Sequence, residues 1–170
     1  MIYATLDDLV RVSVGGWAEL AQRVTRDARV PGELLRAVAS GADTSAWSPE
    51  SVGLALDGVT QLNAQLAATS RHADTFLAAR YPGGLSAEQL AVSDLSTVVA
   101  TITMRRMYGQ TVEETVIKAT KWADDYLLAV ANGVVSLGPA AGAGATSTDA
   151  EVLYEFSPRS VTDDDLRGFA

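Results

Sequence analysis

The sequence predicts an all-α fold: an antiparallel helical bundle with short N-terminal helices and an extended C-terminal arm. Three observations carry this. Apolar residues recur at helical spacing over long stretches, capping signals stand ahead of those stretches, and no part of the body shows the strict alternation of a half-buried strand. At 170 residues and 17.8 kDa the chain suits one compact domain with an appended arm.

The elements follow in chain order. Leu6 to Val12 reads as a short helix stopped by Gly15-Gly16, and Trp17 to Val24 reads as a second. Pro31 to Ala39 is a further short helical stretch ending near Gly41. Ser48-Pro49 then starts a long helix, because Ser caps it and Pro at the first helical position lacks an amide that would be unpaired anyway. That helix is expected to reach about Tyr81, with Val52, Leu56, Val59, Leu66, Ala73 and Leu77 near one face and Pro82-Gly83-Gly84 closing it. Gly53 and Gly58 weaken its first turns.

A third long helix is expected from Ala87 to Tyr108, with Leu95, Val98, Val99 and Ile102 on one arc and Gly109 as its stop. A fourth runs from Thr111 to about Ala131. Its stripe is Val112, Val116, Ala119, Ala123, Leu127 and Val130, Glu114 can pair with Lys118, and Asn132-Gly133 ends it. Thr5 with Asp8, Ser86 with Gln89, Thr111 with Glu114 and Thr162 with Asp165 have capping-box spacing. The domain reading is a helical bundle over residues 1–138 followed by a linker and docking arm over 139–170. Pro139 to Thr148 is a run of small residues that cannot form a core. Beyond it, Val152, Leu153, Tyr154 and Phe156 are apolar and extended in character, and Thr162 to Arg167, with Leu166, reads as one capped helical turn before Gly168-Phe169-Ala170. The arm holds six acids and two bases, Arg159 and Arg167, so half of the net charge of −8 lies there and a basic partner surface suits it.

Composition narrows the chemistry. With no Cys there is no disulfide framework, thiolate zinc site or cysteine nucleophile, and a single His leaves no multi-His metal cluster. A charge of −8 opposes the phosphates a duplex-DNA binder must neutralise. Apolar residues make up 48% with a mean hydropathy of +0.12, enough for a core and for surface that meets partners. Met1 to Asp8 carries acids where a signal peptide needs a basic and then an apolar stretch, and no run approaches a membrane span. A soluble product made in the host cytoplasm, with no membrane partner, is the expectation.

The candidate motifs mostly resolve to structural roles. Gly138, Gly142 and Gly144 lack the spacing and Lys of a phosphate loop. His72 beside Asp74 reads as a surface or interface His, and Asp163-Asp164-Asp165 reads as helix-start acids rather than a calcium loop. No catalytic residue, metal ligand or cofactor is expected, and the protein reads as a non-enzyme. Arg105 and Arg106 end the third long helix. Arg106 projects near the apolar arc, where it can snorkel or pair with an acid such as Asp74 or Asp94. Trp122 and Tyr126, one turn apart beside the core stripe, join Arg105 and Arg106 as candidate subunit-interface residues.

Several stretches resemble the small helical head-to-tail connector, or adaptor, proteins of Mu-like tailed phages and prophages. The opening Met1-Ile2-Tyr3-Ala4-Thr5-Leu6-Asp7-Asp8-Leu9 is similar to that family's start. Asp74-Thr75-Phe76-Leu77-Ala78-Ala79-Arg80-Tyr81 resembles its Asp-x-aromatic-Leu-x-x-Arg-Tyr helix end, and Arg105-Arg106-Met107-Tyr108 stands where the family often has a Tyr-x-Leu-Tyr type ending. Lys118 to Leu127 and Ala131 to Gly138 resemble its last helix and Gly-x-x-x-Leu-Gly exit. Residues from about Thr25 to Trp47 carry none of this resemblance. The resemblance implies a homo-oligomeric ring, commonly of twelve copies, at the head-tail junction of the virion, between the portal protein and the tail or tail-terminator protein. DNA would pass through its channel without sequence-specific binding. The arm residues Val152, Leu153, Tyr154, Phe156, Arg159, Leu166 and Phe169 become the expected partner-binding set. The alternative is a tail-completion protein or another helical interaction module.

Overall fold

The computed structural model describes residues 1–109 and 112–138. These residues form seven helices and no strand: α1 (Leu6–Val12), α2 (Gly16–Thr25), α3 (Gly32–Ser40), α4 (Pro49–Leu77), α5 (Ala87–Val92), α6 (Leu95–Met107) and α7 (Glu114–Ala131). The described part of the chain is all-α, as its periodicity predicts.

Helix α4 is the strut, 29 residues long and so about 43 Å from end to end. Ser48 caps it by accepting the Ser51 amide at 3.2 Å, and Pro49 occupies its first turn. Its first half packs on α2 and α3. At the crossing, a Cβ on Gly58 would lie 3.0 Å from Thr25 and 3.1 Å from Val24, so this glycine trades helix propensity for close approach. The buried line of α4 runs through Ala55, Leu62, Leu66, Ala73 and Leu77. Leu56 was expected on this face and is instead 54% exposed, because Ala55 takes the inward position. The helix also stops at Leu77, short of Tyr81. There the amides of Arg80 and Tyr81 both donate to the Leu77 carbonyl, at 3.0 and 2.8 Å, in a turn that swings the Tyr81 ring into the core.

The expected single helix from Ala87 to Tyr108 is two helices. Ser93 adopts extended backbone, and its hydroxyl and amide both donate to the Leu90 carbonyl, at 3.2 and 3.3 Å. A side chain that competes for local backbone groups in this way ends the helix, and Asp94 begins the next. Ser86 and Gln89 form the expected capping box on α5, and Thr5 and Asp8 form another on α1. Thr111 and Thr162 lie outside the described residues. Helix α7 starts one residue beyond Glu113, which caps it without a side-chain bond.

Helix α6 is the centre. From Leu95 onward it buries Val98, Val99, Ala100, Thr101, Ile102, Thr103 and Met104 in unbroken succession, so it has no solvent face along that stretch. Helices α1, α4 and α7 pack around it. Helix α7 contributes Ala123, Leu127 and Val130, the second half of its stripe. Val112 and Val116 in the first half are only partly covered, and Ala119, expected in the core, is exposed.

The segment from residue 25 to 47 is tied down by charge. Arg29 reaches Asp27 and Glu50, both at 2.6 Å, fastening the α2–α3 loop to the start of α4. The Arg29 guanidinium holds the Asp27 carboxyl down to about 2. Two glycines test the packing in opposite directions. A Cβ on Gly32 would sit 2.6 Å from the backbone nitrogen of Ala18 in α2, which cannot move aside, whereas nothing lies within 4 Å of one on Gly53. Gly32→Ala is expected to lower unfolding free energy by about 2 kcal/mol or more, and Gly53→Ala to raise it by about 0.5–1 kcal/mol. Urea midpoints of the two variants at unchanged slope check both; a neutral Gly32→Ala would contradict the close α2–α3 contact.

Candidate functional site

The candidate interface residues lie on the last turn of α6, at Arg105 and Arg106, and on the middle and second half of α7, at Trp122 and Tyr126. Arg105 points across to α7 and its guanidinium donates to both carboxylate oxygens of Asp124, at 2.5 and 2.9 Å. That fork-on-carboxylate geometry sets the register of the two helices. The neighbouring Arg106 lies about 100° further round the helix. It is exposed at its head and donates to the Thr69 hydroxyl of α4 at 3.3 Å. Of the two readings of Arg106, its exposure fits the snorkelling one, and the pair with an acid is made instead by Arg105 with Asp124. Asp74 is taken by the N-terminal strap: it accepts the Tyr3 hydroxyl and lies 3.8 Å from the Met1 ammonium, while the Tyr3 amide donates to Ser70 at 3.1 Å. Burial, and next the bond to Asp74, push the Tyr3 hydroxyl well above the ordinary tyrosine value.

Tyr126 is half-buried, and burial, and next the charge of Asp94, push its hydroxyl up. Trp122 is 44% exposed and faces outward with Ile117 at 46%. The structure thus uses Arg105 and Tyr126 inside the fold and leaves Trp122 on the surface. The predicted arm residues Val152, Leu153, Tyr154, Phe156, Arg159, Leu166 and Phe169 lie outside the described residues.

Sequence reading missed an apolar groove of roughly 240 Å³ between the end of α1, the end of α6 and the first half of α7. Val12, Val14, Met104, Tyr108, Val116 and Ala119 line it. Apart from Thr101, its polar neighbours are already engaged. Thr120 donates to the Val116 carbonyl at 2.8 Å, Arg105 is spent on Asp124, and the Tyr108 hydroxyl donates to Glu19 at 2.9 Å beneath the Arg23 guanidinium, 3.9 Å from the ring centre. Burial pushes the Glu19 carboxyl up, but bonds from the Gly15 amide and Tyr108 together with Arg23 outweigh it and hold the carboxyl below its usual range. The signal for the groove was the α7 stripe, whose first half has no partner helix in the chain order.

Among the described residues, no group of three or more His, Asp or Glu side chains could hold a metal ion. None of the described helices is long and apolar enough to cross a membrane. The family model described as "Bacteriophage Mu, Gp36" matches residues 3–155, nearly the whole chain.

The chain belongs to the bacteriophage Mu Gp36 family.

It is a phage protein. The Gp36 match begins at Tyr3, the strap residue on α4, and continues past Gly138 to Glu155. No curated protein and no solved structure matches the chain.

His72 is the one histidine of this Gp36-family chain, and its ring meets Phe76 edge-on at 5.2 Å between centroids. Burial, and next the charge of Arg106, hold it below its ordinary value; Arg105 adds to this and Asp124 opposes it. The unfolded chain therefore takes up this proton first, so stability is full above the ordinary histidine range and falls as pH drops through it. Urea midpoints measured between about pH 8 and 6 are expected to decline in the native chain and to stay nearly flat in His72→Gln. An identical decline in the variant would remove His72 as the cause.

Proposed function

We propose that this protein is a structural head-to-tail connector of a Mu-like tailed phage, assembling as a ring between portal and tail around the DNA channel. The observation that carries the reading is the Gp36 family match over residues 3–155. The bundle supplies what a connector subunit needs. It has a rigid core around α6, outward-facing apolar side chains at Trp122, Ile117 and Val14, and an acidic balance that favours passage of DNA over its retention. In this reading the work of the protein is contact rather than chemistry: neighbouring subunits meet through the body, and the acidic, apolar arm after Gly138 docks on the portal.

Electron microscopy of particles made without this gene tests the proposal. Filled or leaking heads beside complete, detached tails are the expected result. Normal tailed particles would remove the connector role. Copy number separates the runner-up, since a tail-completion protein would be present at fewer copies than the portal. Within the arm, Tyr154→Ala combined with Phe156→Ala is expected to abolish joining of heads to tails while leaving the helical circular dichroism of the purified chain unchanged. Normal joining by that double variant would show that the arm docks through other residues.

A further inference from the structure

The apolar stripe of α7 is buried only in its second half. Ala123, Leu127 and Val130 are sealed in the core, while Val116 is half-covered and Ala119 is exposed. Beside them, Val14 in the α1–α2 turn is 99% exposed. A β-branched apolar side chain held fully in water on the lip of an apolar groove marks a surface that something covers. The groove sets limits on what that is. With Thr120, Tyr108 and Arg105 already bonded within the fold, Thr101 is the remaining polar side chain in an otherwise apolar lining, and an apolar occupant suits it. At roughly 240 Å³ the hollow suits a pair of bulky side chains, and a helix, about 10 Å across, does not enter it.

The rest of the chain contains such a segment at the right distance. The described residues end at Gly138, by the far end of α7, where the Leu137 amide donates to the Tyr81 hydroxyl at 2.8 Å. From Ala131 back to Val116 along α7 is about 22 Å. Between Gly138 and Val152 there are enough residues to span up to about 46 Å, and a run of small residues of that length has a typical end-to-end distance of about 20 Å. The bulky apolar side chains beyond Gly138 are densest at Val152, Leu153, Tyr154 and Phe156. The family match, moreover, extends beyond the bundle and ends at Glu155, inside this cluster.

We propose that residues 152–156 of the same chain lie in the groove between α1, α6 and α7. The proposal concerns one chain and stands or falls independently of the connector role. Where both hold, the portal and the groove compete for the same aromatic side chains, so the arm is sheltered until a partner displaces it.

The chain has no cysteine, which makes an engineered disulfide a clean reporter. In the full chain, Ser157→Cys is paired in turn with Ala119→Cys and with Val14→Cys, both exposed positions on the groove, and with Leu56→Cys on the distant face of α4. Under mild oxidation in dilute solution, intramolecular closure is expected at least tenfold faster for both groove pairs than for the Leu56 pair. Adding Tyr154→Ser and Phe156→Ser to the Ala119 pair is expected to reduce its rate to that of the control. Equal rates for all pairs, a rate indifferent to loss of the two aromatics, or cross-linking only between chains would each overturn the proposal, the last by assigning the groove to a second copy.

Discussion

Everything in this protein is arranged around a helix that cannot face water. From Val98 to Met104 the successive side chains of α6 are all buried. A helix of that kind needs neighbours on every side. Helix α4 flanks it, α1 lies across it and α7 closes it. Thr103, sealed within it, returns its hydroxyl to the Val99 carbonyl at 2.8 Å, so that polar atom is not stranded. The charged residues begin only at Arg105, where the helix emerges.

Because the core is apolar and non-directional, something else must fix the angles at which the outer helices meet it. Three polar clamps do so, each joining distant parts of the chain. Tyr3 fastens the N-terminal strap to Ser70 and Asp74 of α4, Tyr108 with Glu19 and Arg23 ties the end of α6 to α2, and Arg105 grips Asp124 of α7. All three sit at the edge of the core, where a hydrogen-bonded charge keeps partial solvation and so avoids the full penalty of burial. Geometry of this sort adds little net stability but rejects alternative registers.

The same construction explains where surface is left over. Helix α7 is longer than the wall it closes, so its first half overhangs and, with the end of α1, encloses the apolar groove. The outward Trp122, 44% exposed, adds to the apolar surface on the same helix.

The helical class, the capped starts at Thr5, Ser48 and Ser86 and most of the core were legible in the sequence, because capping and 3.6-residue periodicity are local properties written within a few residues of where they act. Resemblance to the Mu-like phage proteins was legible for the same reason, through short stretches such as Asp74 to Tyr81. Other features depended on partners far away in the chain. Leu56 lost the core to Ala55, Arg105 rather than Arg106 met an acid, and the α7 stripe was covered for only half its length. The break at Ser93 was a separate case, made by local bonds to the Leu90 carbonyl that apolar periodicity does not register. The sequence by itself determined which segments are helical and which family they belong to. Only the tertiary structure decided which residues on those helices meet, because pairing across helices is set by crossing angle and register, and these come from the packing of side chains separated by up to 89 positions, as in the Tyr108–Glu19 bond.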